Sequence, residues 1–169
     1  EHYNPKTHDA INGPAEEFTP LGYKEAKPGD TFVKIGVGVL RKGEDKPYSF
    51  GTNYDAVDRG KWTVQQAKDR QSTEAVTLTH TLTDATGYGY LYTKTVRLGK
   101  GKPELILEHS LTNTGQKPVE TSVYDHNFFI IDKQPTGPQI TVRFPFAVTA
   151  TEGQGFGSTI TTQGNRLVY

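Results

Sequence analysis

Residues 74–98, EAVTLTHTLTDATGYGYLYTKTVRL, decide the fold. Two runs rich in Thr, Val, Leu and Tyr, Glu74 to Leu82 and Tyr88 to Leu98, alternate with the period of a strand. Between them Asp84-Ala85-Thr86-Gly87 is a short connector of turn-forming residues. Strands joined so closely are antiparallel neighbours, because a parallel pair needs a much longer crossover. The same grammar extends in both directions. Strands are expected at Tyr48 to Tyr54, Trp62 to Gln66, Glu104 to Thr112, Pro118 to Ile131 and Ile140 to Phe146. Gly99-Lys100-Gly101-Lys102-Pro103 and Asn113-Thr114-Gly115-Gln116-Lys117 read as hairpin connectors, and Glu44-Asp45-Lys46-Pro47 as an exposed turn. Thr31 to Arg41 reads as one near-continuous β-branched strand, whose Gly36 and Gly38 face the same way and mark a close approach by another backbone or a bulky side chain. Helix has almost no support. The expected fold is an all-β antiparallel β-sandwich, a single domain over residues 1–169.

The bulk numbers narrow the function classes. A chain of 169 residues can bury about two-thirds of its unfolded surface. Lys plus Arg and Asp plus Glu are equal at 19 each, with no run of like charge, so neither nucleic acid nor a membrane surface is expected as a partner. A neutral partner fits better. Cysteine is absent, which removes disulfides, thiolate metal sites and cysteine nucleophiles and leaves the compartment open. No segment approaches the ~18 consecutive apolar residues of a membrane-spanning helix. The chain begins Glu1-His2-Tyr3 without an initiator Met and stops at Asn165-Arg166-Leu167-Val168-Tyr169, which reads as the start of a strand. It is therefore read as truncated at both ends, with the remainder of the same polypeptide as a partner.

The chemistry-bearing stretch is Ser122-Val123-Tyr124-Asp125-His126-Asn127-Phe128-Phe129-Ile130-Ile131-Asp132. On an alternating strand Tyr124, His126 and Phe128 share one face, and Val123, Asp125, Asn127 and Phe129 the other. A histidine between aromatic rings suits a sugar site, since rings stack on the C–H face of a pyranose and imidazole titrates near neutrality; a satisfied structural histidine is the plainer reading. His109 shares the face of Leu105, Leu107 and Leu111 and is expected as a core or inter-sheet histidine, whereas His80 is expected on a solvated face, opposite Leu78 and Leu82. Neither is given a role. No H-x-H or H-x3-H spacing occurs, so no metal is expected. A G-x-S-x-G elbow is missing, and Gly153-Gln154-Gly155-Phe156-Gly157-Ser158 lacks the lysine of a phosphate loop and reads as a connector. The first 30 residues, with His8 to Phe18 and Gly22 to Asp30, are polar and turn-rich, as segments over the mouth of a site often are.

Leu107-Glu108-His109-Ser110-Leu111-Thr112-Asn113-Thr114-Gly115 followed by Val123-Tyr124-Asp125-His126-Asn127-Phe128-Phe129 resembles the central strands of the aldose 1-epimerase (galactose mutarotase-like) superfamily, whose strand carries an H-x-[YF]-F-N type motif. Ile130 stands where the motif's asparagine would follow. The resemblance implies a supersandwich, here incomplete, and cofactor-free interconversion of sugar anomers. It makes His126 the general acid, with carbohydrate, an aldose or an oligosaccharide, as partner. It also makes His8, Asn12, Glu17 and Tyr124 substrate-binding candidates, with Glu16 as a further sugar ligand. Asn12 stands near where relatives carry a second histidine, and their catalytic glutamate would fall beyond Tyr169. The alternative is a non-catalytic carbohydrate-binding sandwich, or an accessory domain of a polysaccharide-active enzyme, with Trp62 and the nine tyrosines supplying stacking platforms.

Overall fold

The structure, a computed structural model, describes residues 13–68, 73–99, 101–128, 137–149 and 160–168. Among them there is no helix, and the three sheets of three or four strands are antiparallel throughout. The strands are β1 (Gly13–Phe18), β2 (Thr31–Lys34), β3 (Gly38–Arg41), β4 (Asp55–Asp58), β5 (Lys61–Lys68) and β6 (Thr73–Thr83). They continue as β7 (Gly89–Gly99), β8 (Leu105–Asn113), β9 (Val123–Phe128), β10 (Thr141–Arg143), β11 (Thr161–Gln163) and β12 (Arg166–Val168). The chain divides into two compact units, Ala15–His126 and the remaining two segments together. The second of these contains a small sheet of order β10-β12-β11, so the end of the chain is indeed strand.

The unit Ala15–His126 holds the sheets that matter for function: β5-β6-β7-β8, β2-β3-β4 and the pair β1-β9. The β6–β7 hairpin runs in register from Thr83↔Gly89 to Thr73↔Gly99. Its turn closes through Gly87 N–H to the Asp84 carbonyl at 3.1 Å and Asp84 N–H to the Tyr88 carbonyl at 2.8 Å. The Asp84 carboxylate takes the Thr86 N–H at 3.0 Å, the local bond that makes aspartate a turn former. Strands β5, β8 and β10 also stand where the alternation placed them, although β10 is shorter.

The core explains why the sheets meet. Phe18, Leu21, Val33, Ile35 and Val39 pack against Leu82, Tyr90 and Tyr92, so the β2-β3 layer lies on the β6-β7 layer in the manner of a sandwich. A second cluster gathers Tyr23, Phe32 and Leu40, with Tyr48 and Tyr54 against it.

Four readings are corrected. Thr31 to Arg41 is a hairpin, not one strand: Thr31↔Arg41 and Lys34↔Gly38 pair across a turn that Gly36, with φ 77°, makes possible. Gly38 does mark a close approach, since a Cβ there would lie 2.2 Å from the Asp58 carbonyl oxygen. Tyr48 to Tyr54 is a loop whose two tyrosines pack on Tyr23 and Phe32. Asn113 to Lys117 does not make a hairpin, because β8 ends its sheet and β9 pairs with β1. His80 is fully buried. Residues two apart share a face, so His80 lies with Leu78 and Leu82 and not opposite them.

His80 is thereby a structural residue with every polar atom used. Its Nε2 lies 2.9 Å from the Arg59 carbonyl, an acceptor only, which assigns the proton to Nε2. Nδ1 then accepts from the Tyr90 hydroxyl at 2.9 Å, whose oxygen accepts the Gly36 N–H at 3.0 Å. Trp62 stacks on the imidazole, 4.5 Å between centroids.

Candidate functional site

Strands β1 and β9 form a two-stranded ribbon, extended by Thr19 N–H donating to the Ser122 carbonyl at 2.9 Å. Alternation sends adjacent side chains to opposite sides, so Glu16 and Glu17 part company, as do Tyr124 and Asp125. Two polar groups result.

The first holds Glu17. Its carboxylate is ion-paired with Lys34 and accepts the Tyr48 hydroxyl at 3.2 Å. Lys34 is buried, donates also to the Phe18 carbonyl, and places its ammonium 4.7 Å from the centre of the Tyr48 ring. A buried ammonium needs this many partners, because desolvation alone would expel it. Burial first, then the negative charge of Glu17, pushes the Tyr48 hydroxyl well above the ordinary phenol range, with smaller contributions from Tyr54 and Tyr124. Tyr124 is therefore on this side, and half of its surface is open to solvent. Tyr48 also borders a cleft of about 870 Å3 lined by Pro20, Tyr23, Lys46, Tyr88 and Glu120 among others. That volume lies in the range of small-molecule sites.

The second group holds Glu16. Lys94 donates to Glu16 Oε1 at 2.6 Å, and the Tyr92 hydroxyl lies 3.4 Å from Oε2 and 3.0 Å from His109 Nδ1. His109 Nε2 lies 3.6 Å from Glu16 Oε1. Asp125 joins them: a ligating atom from each of Glu16, His109 and Asp125 lies within 4.8 Å of the others. Burial above all, then Glu16, then Asp125, pushes the Tyr92 hydroxyl far up, so it remains a neutral donor.

Of the site residues expected from sequence, Glu17 and Tyr124 are brought to one side of the ribbon, with Tyr48 as their common neighbour. His126 belongs to β9, two residues beyond Tyr124, but its side chain lies outside the described residues, as do His8 and Asn12. His109 is not a core residue: it is on β8 at the end of its sheet, its side chain partly accessible and stacked on Tyr92, and part of the Glu16 group. Lys34, Tyr48, Tyr92, Lys94 and Asp125 were not foreseen as site residues. The only sequence signal for them was the Glu16-Glu17 pair, whose two carboxylates on one strand must serve opposite faces.

Comparison with models of protein families, with curated proteins and with solved structures finds no match to this chain.

Proposed function

We propose that the protein is an aldose 1-epimerase-like isomerase with His126 as general acid, acting on a sugar held beside Tyr124 and Glu17. The observation that supports this reading is the pairing of β1 with β9, which sets a carboxylate and a solvent-open aromatic ring together along the strand that carries His126. In the proposed reaction the imidazolium of His126 protonates the ring oxygen while a carboxylate takes the proton of the anomeric hydroxyl. The ring C–O bond breaks as the carbonyl forms; rotation about C1–C2 and reversal of both transfers close the ring as the other anomer. Tyr124 offers the sugar's C–H face an aromatic surface, and Glu17, held in place by Lys34 and Tyr48, accepts a hydrogen bond from a sugar hydroxyl. The test follows a pure α-aldose by optical rotation or NMR. Addition of the protein accelerates the approach to anomeric equilibrium in proportion to its concentration.

A second reading, carbohydrate binding without catalysis, draws support from Glu16 and Glu17 themselves. Each is ion-paired with a lysine, which holds its carboxylate in place to accept hydrogen bonds from sugar hydroxyls. Saturable sugar binding with no acceleration of anomer exchange favours this reading and overturns the first.

A further inference from the structure

We propose that Glu16, His109 and Asp125 form a binding site for a divalent transition metal of the zinc type. The three residues come from β1, β8 and β9, and their ligating atoms all lie within 4.8 Å of one another. A metal held at about 2.0–2.2 Å by nitrogen and oxygen ligands needs its ligand atoms ~3–3.5 Å apart, so modest closure suffices. His109 Nε2 and Glu16 Oε1 already stand at 3.6 Å.

The orientation of the ligands is the stronger argument. Tyr92 reaches both: His109 Nδ1–H donates to the phenolic oxygen at 3.0 Å, and the phenolic O–H points to Glu16 Oε2 at 3.4 Å. One hydroxyl thus occupies one polar atom of each ligand and leaves the others, Nε2 and Oε1, facing each other at 3.6 Å. Holding the second ring nitrogen of a ligating histidine by a hydrogen bond is how metal sites fix the ring and its tautomer. Tyr92 can do this because packing against Phe18, 5.3 Å between ring centres, fixes the ring.

Charge sets the strength. Two carboxylates and one ammonium, Lys94, leave a net charge of minus one with His109 neutral, enough to attract a divalent cation but less than three free ligands would. Lys94 keeps its bond to Glu16 Oε1, whose second lone pair serves the metal. An imidazole with two carboxylates suits zinc or manganese better than calcium, which prefers oxygen ligands alone.

The experiment is isothermal titration of the chelator-stripped chain with Zn2+. The expected result is one ion per chain, with Ca2+ binding at least tenfold more weakly. His109→Gln and Asp125→Asn, both at exposed positions, each weaken Zn2+ binding by tenfold or more, and Tyr92→Phe by about tenfold. Lys94→Gln strengthens it. A His2→Gln/His8→Gln variant binds as the native chain does, which separates the site from adventitious chelation near the start of the chain. Circular dichroism checks that each variant is folded. Absence of stoichiometric Zn2+ binding, or unchanged binding in a folded His109→Gln variant, overturns the proposal. The reading of the Tyr124 side as a sugar site is independent of either outcome.

Discussion

Lys34 is the residue on which the Glu17 side of the ribbon depends, because its ammonium is buried and three groups converge on it. Lys34→Met keeps the volume but removes the ammonium from the Phe18 carbonyl and leaves Glu17 with the Tyr48 hydroxyl alone. We expect a loss of about 2–3 kcal/mol in denaturant unfolding, with Glu17→Gln costing less because its partner retains the carbonyl. Tyr90→Phe isolates a different bond set: Gly36 N–H loses its acceptor and His80 Nδ1 its donor in a dry core, for an expected cost of about 2 kcal/mol or more. Sequence reading reached individual residues unevenly. Glu17 and Tyr124 were each singled out through family resemblance, but that β1 and β9 bring them to one side was not foreseen. His80 was misplaced by an error of face, while His109 was judged by its leucine neighbours, yet Leu105 and Leu111 themselves prove exposed. Metal-ligating potential at Glu16, His109 and Asp125 was invisible to motif spacing because three separate strands contribute it.

At the scale of elements, alternation worked where strands are long and half-buried, as in the hairpin of β6 and β7. It failed where a whole run is buried. In Thr31 to Arg41 the turn residues are hidden among apolar neighbours, because Ile35 within the turn packs into the core as fully as the strands do. It failed also at β1, whose polar residues look like loop and whose partner lies about a hundred positions away in β9. Gly38 tests the β3–β4 junction. Its φ of 137° and the Asp58 carbonyl leave no room for a side chain, so Gly38→Ala should cost about 2–3 kcal/mol and unfold the chain at lower denaturant. Gly29→Ala, also at positive φ but in open space, should cost clearly less.

For the molecule as a whole, the fold class was legible because every level of the sequence agreed on antiparallel strands, whereas the functional expectation rests only on a resemblance around His126. Alkaline pH probes the packed core. Burial raises Tyr90 to about 12, against the opposing effect of the Gly36 N–H, so the native state holds the phenolic proton more tightly than the unfolded chain. Its contribution is complete below about pH 10, the unfolded value, and is lost as pH rises toward 12. Denaturant unfolding between those limits should show stability falling with pH, and Tyr90→Phe should flatten that slope. The central claim is that one imidazole moves a proton to the sugar. Its most direct measurement compares the anomer-exchange rate of a pure α-aldose with the native protein and with a folded His126→Ala variant, across about pH 5 to 8. The account predicts a catalysed rate that titrates in the native protein and falls to the buffer rate in the variant. An equal catalysed rate in the variant would contradict it.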